Sequence, residues 1–515
     1  MVSHRFVLEG SNMSSTTAPG EGMGSVARGG AFVLIGSLTS AAMGLLLVVV
    51  LGRVLGASDA GIVFQGIAAF TIAMSVARFG LDTTAVWLLP RLRSEDASFL
   101  RAAVVGILWP TVVLGLIGWG MLYATSLLLD AADLGGALRA MAWALPFAGV
   151  TMVGLAATRA LGGVRPFVLV QSIGIPSARP ALALLVTAAG GASAAVAASW
   201  VLPLAISAPI VLLVLAHQLV RHAGPRSAGS TWRPTRVLTR RIFGYALPRA
   251  VATVLEQAMT WLDVLLVGLL AGPAAAGIYG AATRFTQAGL IMSTSLRIVV
   301  APMFSRHLGS GELPAVRHLY TTTTKWIIAV SVPIYLGLAL FGGTVISLLG
   351  AEFREGGLAL GVLAGGMVLV LSAGNIQSVL LMSGHSSLAA LNKFCAVLVT
   401  VGLLLLLLPE WGIVGAAAAW VVGMGLDTGL AAWQVHRRVG VQPWGGGVLK
   451  VLALTLWSFG LPALGARLLG GDELGTTVVG VLLGSLCLAL TAWRLAALFQ
   501  VAALGPIIRS RKGKP

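Results

Sequence analysis

Eight ionisable side chains stand inside stretches that are otherwise apolar: Arg78, Arg179, Arg249, Glu256, Asp263, Arg284, Arg297 and Asp427. A charge carried to the centre of a bilayer-spanning helix costs about 2.5–3.5 kcal/mol on insertion scales, so such a set must pair internally or face water. The five arginines offer planar, two-pronged donors for phosphate-like oxyanions and keep their charge when desolvated. Their expected role is substrate binding. The three carboxylates are the groups able to take up a proton or a sodium ion, and coupling is the role expected of Glu256, Asp263 and Asp427. Competing readings stand beside these. Arg78, Arg249 and Arg297 fall within about two turns of helix ends, where a long side chain snorkels to the interface. Arg179 instead lies mid-helix in "IPSARPAL", between two prolines that each remove a backbone hydrogen bond and open a helix toward a cavity.

Arg249, Glu256 and Asp263 are seven residues apart. That is about two helical turns each time, so they form one stripe beside Gln257, lining either a passage or a structural polar seam. Further on, "DVLLVGLLAGPAAAGIYGAATRF" places Asp263 and Arg284 on either side of a Gly-Pro break. At about 1.5 Å per residue both fall roughly 10–12 Å below the same surface on antiparallel neighbours, which predicts that they face one another as a pair.

The elements that position these groups follow from composition. The 515 residues are 57% hydrophobic and 10% charged, with a mean hydropathy of +0.94, which is the range of multi-pass membrane proteins. Apolar runs predict about 14 spanning helices, beginning near Gly30, Ile62, Ala102, Ala140, Phe167, Ala194, Tyr245, Ala276, Trp326, Leu358, Leu388, Gly412, Val448 and Thr476. The polar first 29 residues lack a separate apolar core, and the first helix is expected to act as its own insertion signal. With the amino terminus cytoplasmic, roughly 25 of the 34 Lys and Arg lie inside, about 4 outside and about 5 within helices. The inside set includes Arg91, Arg93, Arg101, Arg221, Arg226, Arg233, Arg236, Arg240, Arg241, Arg437 and Arg438, then Arg509, Arg511, Lys512 and Lys514. The outer loops hold acids such as Asp59, Asp130, Asp133, Glu352, Glu410 and Asp472. Both termini are therefore expected in the cytoplasm and the protein in the cell membrane.

The net charge of +17 does not signal nucleic acid, because no segment is polar enough to gather that charge on a folded basic domain. No phosphate-cradling GxxxxGK[ST] occurs, nor HExxH, nor GxSxG, nor a Cys-His cluster, so neither ATPase nor hydrolase chemistry is expected. Cys395 and Cys487 each sit in an apolar run and read as small buried side chains rather than a disulfide or metal site. No enzyme activity, metal or cofactor is expected.

"LGASDAGIVFQGIAAF" and "LLAGPAAAGIYGAATRF" share a break, then Gly-Ile, then an aromatic, roughly 216 residues apart, which suggests an internal repeat of about six helices. These pieces, with "NIQSVLLMSGHSSLAALN" and "PEWGIVGAAAAWVVG", resemble the polysaccharide-type lipid-linked oligosaccharide flippases of the multidrug/oligosaccharidyl-lipid/polysaccharide exporter superfamily. The resemblance covers nearly the whole chain, the last two helices least. It implies an all-α fold of two six-helix lobes around a central cavity, plus two C-terminal helices. Expected boundaries are a tail at 1–29, an N-lobe at 30–218, a basic linker at 219–243, a C-lobe at 244–434, helices 13 and 14 at 435–498, and a basic tail at 499–515. It also implies a polyprenyl-diphosphate-linked glycan as cargo, moved by alternating access for polysaccharide biosynthesis, with membrane lipids and the glycosyltransferase or polymerase machinery as partners. A lipid II flippase and a cation-coupled multidrug exporter of the same superfamily are the alternatives.

Overall fold

The computed structural model describes residues 19–129, 132–223 and 232–499; Asp130, Arg226, Arg509, Arg511, Lys512 and Lys514 lie outside the described residues. These residues form helices joined by short turns, with no strand among them. Eleven helices are long and apolar enough to cross a membrane, and the bent pair Pro273–Gln287 and Met292–Gly309 makes a twelfth span. Two of the eleven are double-length. Pro19–Arg78 folds back at Gly56 and Ser386–Val439 at Gly412, both glycines at positive φ (75° and 56°), a conformation open to glycine at no steric cost. With those two counted as hairpins the described residues make fourteen passes, as hydropathy predicts, and the chain is a multi-pass membrane protein.

The helices are longer than the apolar runs suggest. The first pass starts at Pro19, inside the expected polar tail, and the second runs on to Glu95. The sixth pass, Ser193–Ala223, and the seventh, Arg236–Ala271, take up both ends of the expected linker, leaving 224–235 between them. Thr235 explains the second boundary: its hydroxyl accepts the Leu238 N–H and caps the seventh pass, a signal that hydropathy does not read.

The repeat has a structural counterpart. Gly56 and Gly272 adopt nearly the same backbone (φ 75°, ψ 178° and φ 92°, ψ 169°), each opening a helix that carries the Gly-Ile pair. Those two helices, the second and eighth passes, cross at Gly61 and Gly277. A Cβ added at Gly61 would come within 1.8 Å of the Pro273 carbonyl oxygen, and one at Gly277 within 2.0 Å of that of Ala57. The contact is reciprocal under the repeat, so the two halves touch through equivalent atoms about a local two-fold axis. Nearby, Arg53 Nε donates to Leu348 O (2.7 Å) and Ala57 N donates to Glu352 Oε1 (2.7 Å), tying this end of the first two passes to the turn after the ninth.

The thirteenth and fourteenth passes lie at the edge. Their turn is held to the ninth pass by Thr344 Oγ1, which donates to Asp472 O (3.0 Å). Gly480 and Gly484 let the fourteenth pass approach Phe341 and Phe459, while Trp457, Leu469 and Trp493 point outward, 70%, 92% and 76% exposed.

The crossing generates a stability prediction. Gly61→Ala or Gly277→Ala should destabilise the detergent-solubilised protein by about 1–3 kcal/mol through overpacking. Gly44→Ala, whose Cβ meets nothing within 4 Å, should be neutral or stabilising by up to about 1 kcal/mol. Equal melting temperatures for Gly61→Ala, Gly277→Ala and the parent would show that the helices do not cross at these residues.

Candidate functional site: an arginine-lined passage

Two cavities adjoin at one shared lining residue, Gln171, and the passage denotes the pair. The first, about 510 Å³, opens at the end of the bundle that carries the 224–235 connection and is walled by the second, fourth, fifth and seventh passes. Arg78, Arg159 and Arg249 line it with a single carboxylate, Asp82. Arg78 Nη1 lies 3.5 Å from Asp82 Oδ2, four residues on across the turn at Phe79–Gly80, and Arg78 Nε is a buried donor with no acceptor among the described residues. Aromatic rings fix the walls. Trp87 stacks on Tyr245 (4.5 Å, 5° between planes), and the Arg159 guanidinium lies 4.6 Å over Phe167.

The second cavity, about 410 Å³, lies deeper and is lined by Ser37, Ser40, Gly44, Gln171, Ser172, Arg284 and Gln287 from the first, fifth and eighth passes. The fifth pass is widened here. Val168–Gly174 forms a π-helical stretch immediately before Pro176, whose ring excludes an ordinary turn against Ser172, the residue four before it. That widening presents Gln171 and Ser172 to the passage. Arg284 is the cation at its depth: its guanidinium stacks 3.8 Å over Trp261, Nη2 donates to Thr260 O (3.3 Å), and Nε is buried without an acceptor among the described residues.

The expected pair is rearranged. Asp263 and Arg284 share the seventh–eighth hairpin but form no ion pair within 4.0 Å. Asp263 Oδ2 accepts from Tyr279 Oη (2.9 Å) and Oδ1 from the Val264 N–H (2.8 Å), while Arg284 turns to the indole one turn nearer the passage. Asp263 is 4% exposed, buried between the eighth and eleventh passes rather than in the passage. A seven-residue step falls about 20° short of two turns, too little to notice once, but the drift accumulates along the stripe. Arg249 consequently lines the first cavity, Glu256 is exposed outside both, and Asp263 points into the C-terminal half.

The other candidates lie elsewhere. Arg179 is turned into its own half, with Nε donating to Trp200 O (3.2 Å) and the guanidinium 3.6 Å over the Trp200 ring. Arg297 is exposed and lines neither cavity. Asp427 is buried, and Lys393 Nζ donates to its Oδ2 at 2.6 Å; beside them Asn392 and Gln434 exchange two amide hydrogen bonds of 2.8 Å. Arg159 and the two tryptophan platforms escaped the sequence reading. Arg159 stands near a helix end, where it reads as a topology charge, and Trp200 and Trp261 are separated from their arginines by intervals with no local signature. Among the described residues no group of His, Cys, Asp and Glu is arranged to hold a metal ion.

Comparison with known proteins places this architecture. A family model described as polysaccharide biosynthesis protein matches residues 26–308, more than half of the chain, and the MatE model matches residues 248–407. The probable low-salt glycan biosynthesis flippase Agl15 of Haloferax volcanii is 23% identical over 218 residues, covering 41% of this chain and 45% of that protein. The probable flippase AglR of the same organism is 24% identical over 215 residues, with the same coverage. The chain thus spans under half the length of these relatives. Among solved structures, the lipid II flippase MurJ in an inward closed conformation superposes with a TM-score of 0.69 at 12% identity, covering 92% of this chain and 99% of MurJ, which is a likeness of fold. On the extent of the first match, the chain belongs to the polysaccharide biosynthesis protein family.

Proposed function

We propose that the protein is a flippase that moves a polyprenyl-diphosphate-linked oligosaccharide across the cell membrane by alternating access, with both termini in the cytoplasm and no bond made or broken. The observation that carries this reading is the passage itself, in which four arginines meet a single carboxylate and two guanidinium N–H groups are buried without acceptors. A diphosphate supplies what that arrangement lacks: a compact double anion with several acceptor oxygens. Its glycan needs water, which the serines and glutamines of the passage accommodate, and its prenyl chain stays in lipid.

The names of Agl15 and AglR, both flippases and one assigned to glycan biosynthesis, support the same cargo class. The fold of MurJ keeps lipid II, another lipid-linked glycan, as the second reading. A cationic drug is disfavoured by Coulomb repulsion in an arginine-lined cavity. Biosynthetic glycosyltransferases or a polymerase are the expected partners.

Work without ATP comes from the membrane potential, since two negative charges moved outward gain roughly 4–5 kcal/mol per 100 mV. Ion or proton exchange adds to it at Asp263, whose burial beside Tyr279 and near Arg284 makes its charge sensitive to whether an anion is bound. Asp427 is less suited, because Lys393 already supplies its counter-charge.

In proteoliposomes carrying a labelled lipid-linked oligosaccharide, Arg284→Gln and Arg159→Gln should each slow translocation about 10- to 100-fold, the equivalent of one charged hydrogen bond. Normal rates in both would exclude the passage as the route. Asp263→Asn should fold and bind cargo but lose dependence on the proton or sodium gradient; a gradient response equal to the parent's would remove Asp263 from coupling. For orientation, a cysteine at Ser310 should be labelled by impermeant reagents only from the cytoplasm and one at Ser58 only from outside, both positions being exposed. Reversed labelling would invert the topology.

A further inference from the structure

The glycine-rich stretch "GVQPWGGGV" separates the twelfth and thirteenth passes, and it belongs to no part of the passage described above. It lies beyond both family-matched segments, which end at residues 308 and 407. In the structure it is a held loop. Arg317 Nε donates to Gly440 O (3.0 Å) and Trp444 Nε1 to Ser372 Oγ (3.2 Å), so the ninth and tenth passes fix it at two points, and Tyr320 Oη, which donates to Ala373 O, packs 3.3 Å from Pro443 O. Gly440, Gly446 and Gly447 have positive φ (74°, 59° and 84°), which lets the backbone curl over the start of the ninth pass. An ideal Cβ on Gly446 would sit 2.9 Å from the Thr321 side chain.

Between loop and helix is a cavity of about 590 Å³ lined by Arg317, His318, Thr321 and His436 with the glycines, and by no carboxylate. One turn below Thr321 is Lys325. It is 5% exposed, and an ideal Cβ on Gly447 would lie 3.6 Å from its Nζ, so the ammonium sits against the inner end of the same loop. Among the described residues it makes no hydrogen bond or ion pair. With no carboxylate beside it to supply a counter-charge, that ammonium attracts an anion to the inner end of the loop.

We infer that this cavity is a second anion site, separate from the transport passage, which binds a phosphate monoester through Arg317 and Lys325. Such a group comes either from the headgroup of an anionic membrane lipid or from a soluble phosphorylated compound. Bound there, it bridges the ninth pass to the loop that leads into the two edge helices, so occupancy couples those helices to the C-terminal half. Arg317 contributes directional donors in the cavity wall and Lys325, against Gly447 at the inner end of the loop, a point charge beside it. The surrounding membrane interface concentrates anionic headgroups next to basic side chains.

The test uses the purified, delipidated full chain, with thermal unfolding and native mass spectrometry as readouts. The probes are short-chain phosphatidic acid, phosphatidylcholine and inorganic phosphate. Phosphatidic acid should bind and raise Tm, phosphatidylcholine should not, and Arg317→Gln and Lys325→Met should each weaken binding about ten-fold. Stabilisation by phosphatidic acid alone assigns the site to a lipid headgroup; equal stabilisation by inorganic phosphate assigns it to a soluble phosphorylated ligand. Arg317 is exposed, so its variant remains informative should Lys325→Met fail to fold. Absence of binding by either phosphate probe overturns the inference, as does wild-type affinity in Arg317→Gln. Loss of binding in Arg284→Gln with retention in Arg317→Gln would place the ligand in the transport passage instead.

Discussion

A guanidinium brought to membrane depth must be made tolerable without being neutralised, and much of the structure follows from how this chain meets that requirement. A carboxylate beside Arg284 would satisfy it electrostatically but would also cancel the attraction for an anion. The chain uses an indole instead. Trp261 under Arg284, like Trp200 under Arg179 and Phe167 under Arg159, replaces part of the lost hydration with a π face and a shape that fixes the fork, leaving the net charge intact. Asp263, the acid nearest in sequence, is held back by Tyr279. The C-terminal half shows the opposite solution: Lys393 meets Asp427 directly, and the Asn392–Gln434 pair satisfies itself. Lys393 and Asp427 cancel their charges between packed helices, whereas among the described residues Arg159, Arg249 and Arg284 line the passage with no carboxylate within 4.0 Å.

The second constraint is steric. For the alternating access proposed above, the two halves must touch along a line that holds them without locking them, and small residues permit close backbone approach with little interdigitation. Gly61 and Gly277 supply that contact at one end of the bundle, with the Arg53–Leu348 and Ala57–Glu352 hydrogen bonds beside it. The first cavity opens at the other end. The described state is thus closed where the repeats meet and accessible where the connection between the halves runs. Motion that opens the glycine contact would have to release both hydrogen bonds, which carry no buried charge pair and so impose only a modest barrier.

Fourteen passes were legible because hydropathy integrates over about 20 residues, and burial in lipid is the strongest constraint on such a chain. The repeat was legible because Gly-Ile recurs after a break where only glycine fits. The lengths of the passes were not, since residues such as Thr235 and the run from Pro19 extend helices into polar sequence by capping and local propensity. Of the site, Arg78, Arg249 and Arg284 could be found as charges in apolar surroundings. Arg159 could not, being equally explicable as an interfacial charge. Nor could the Asp263–Arg284 separation be anticipated: depth along a helix follows from residue counting, but azimuth depends on packing, and a rotation of tens of degrees decides whether two groups at one depth meet each other or a tyrosine and a tryptophan.

Under the function proposed above, that azimuthal choice bears on transport. Had Asp263 and Arg284 formed a close ion pair, an entering diphosphate would have to break it, and the gain on binding would be offset by leaving a buried carboxylate alone. With the carboxylate on Tyr279 and the guanidinium on Trp261, the arginine can accept an anion without first losing a partner. Asp263 shares the seventh–eighth hairpin with Arg284, and in a poorly screened interior it feels the change in field. Separation by one side-chain layer is therefore the geometry in which an anion in the passage and a proton or sodium ion on Asp263 influence each other without competing for the same atoms.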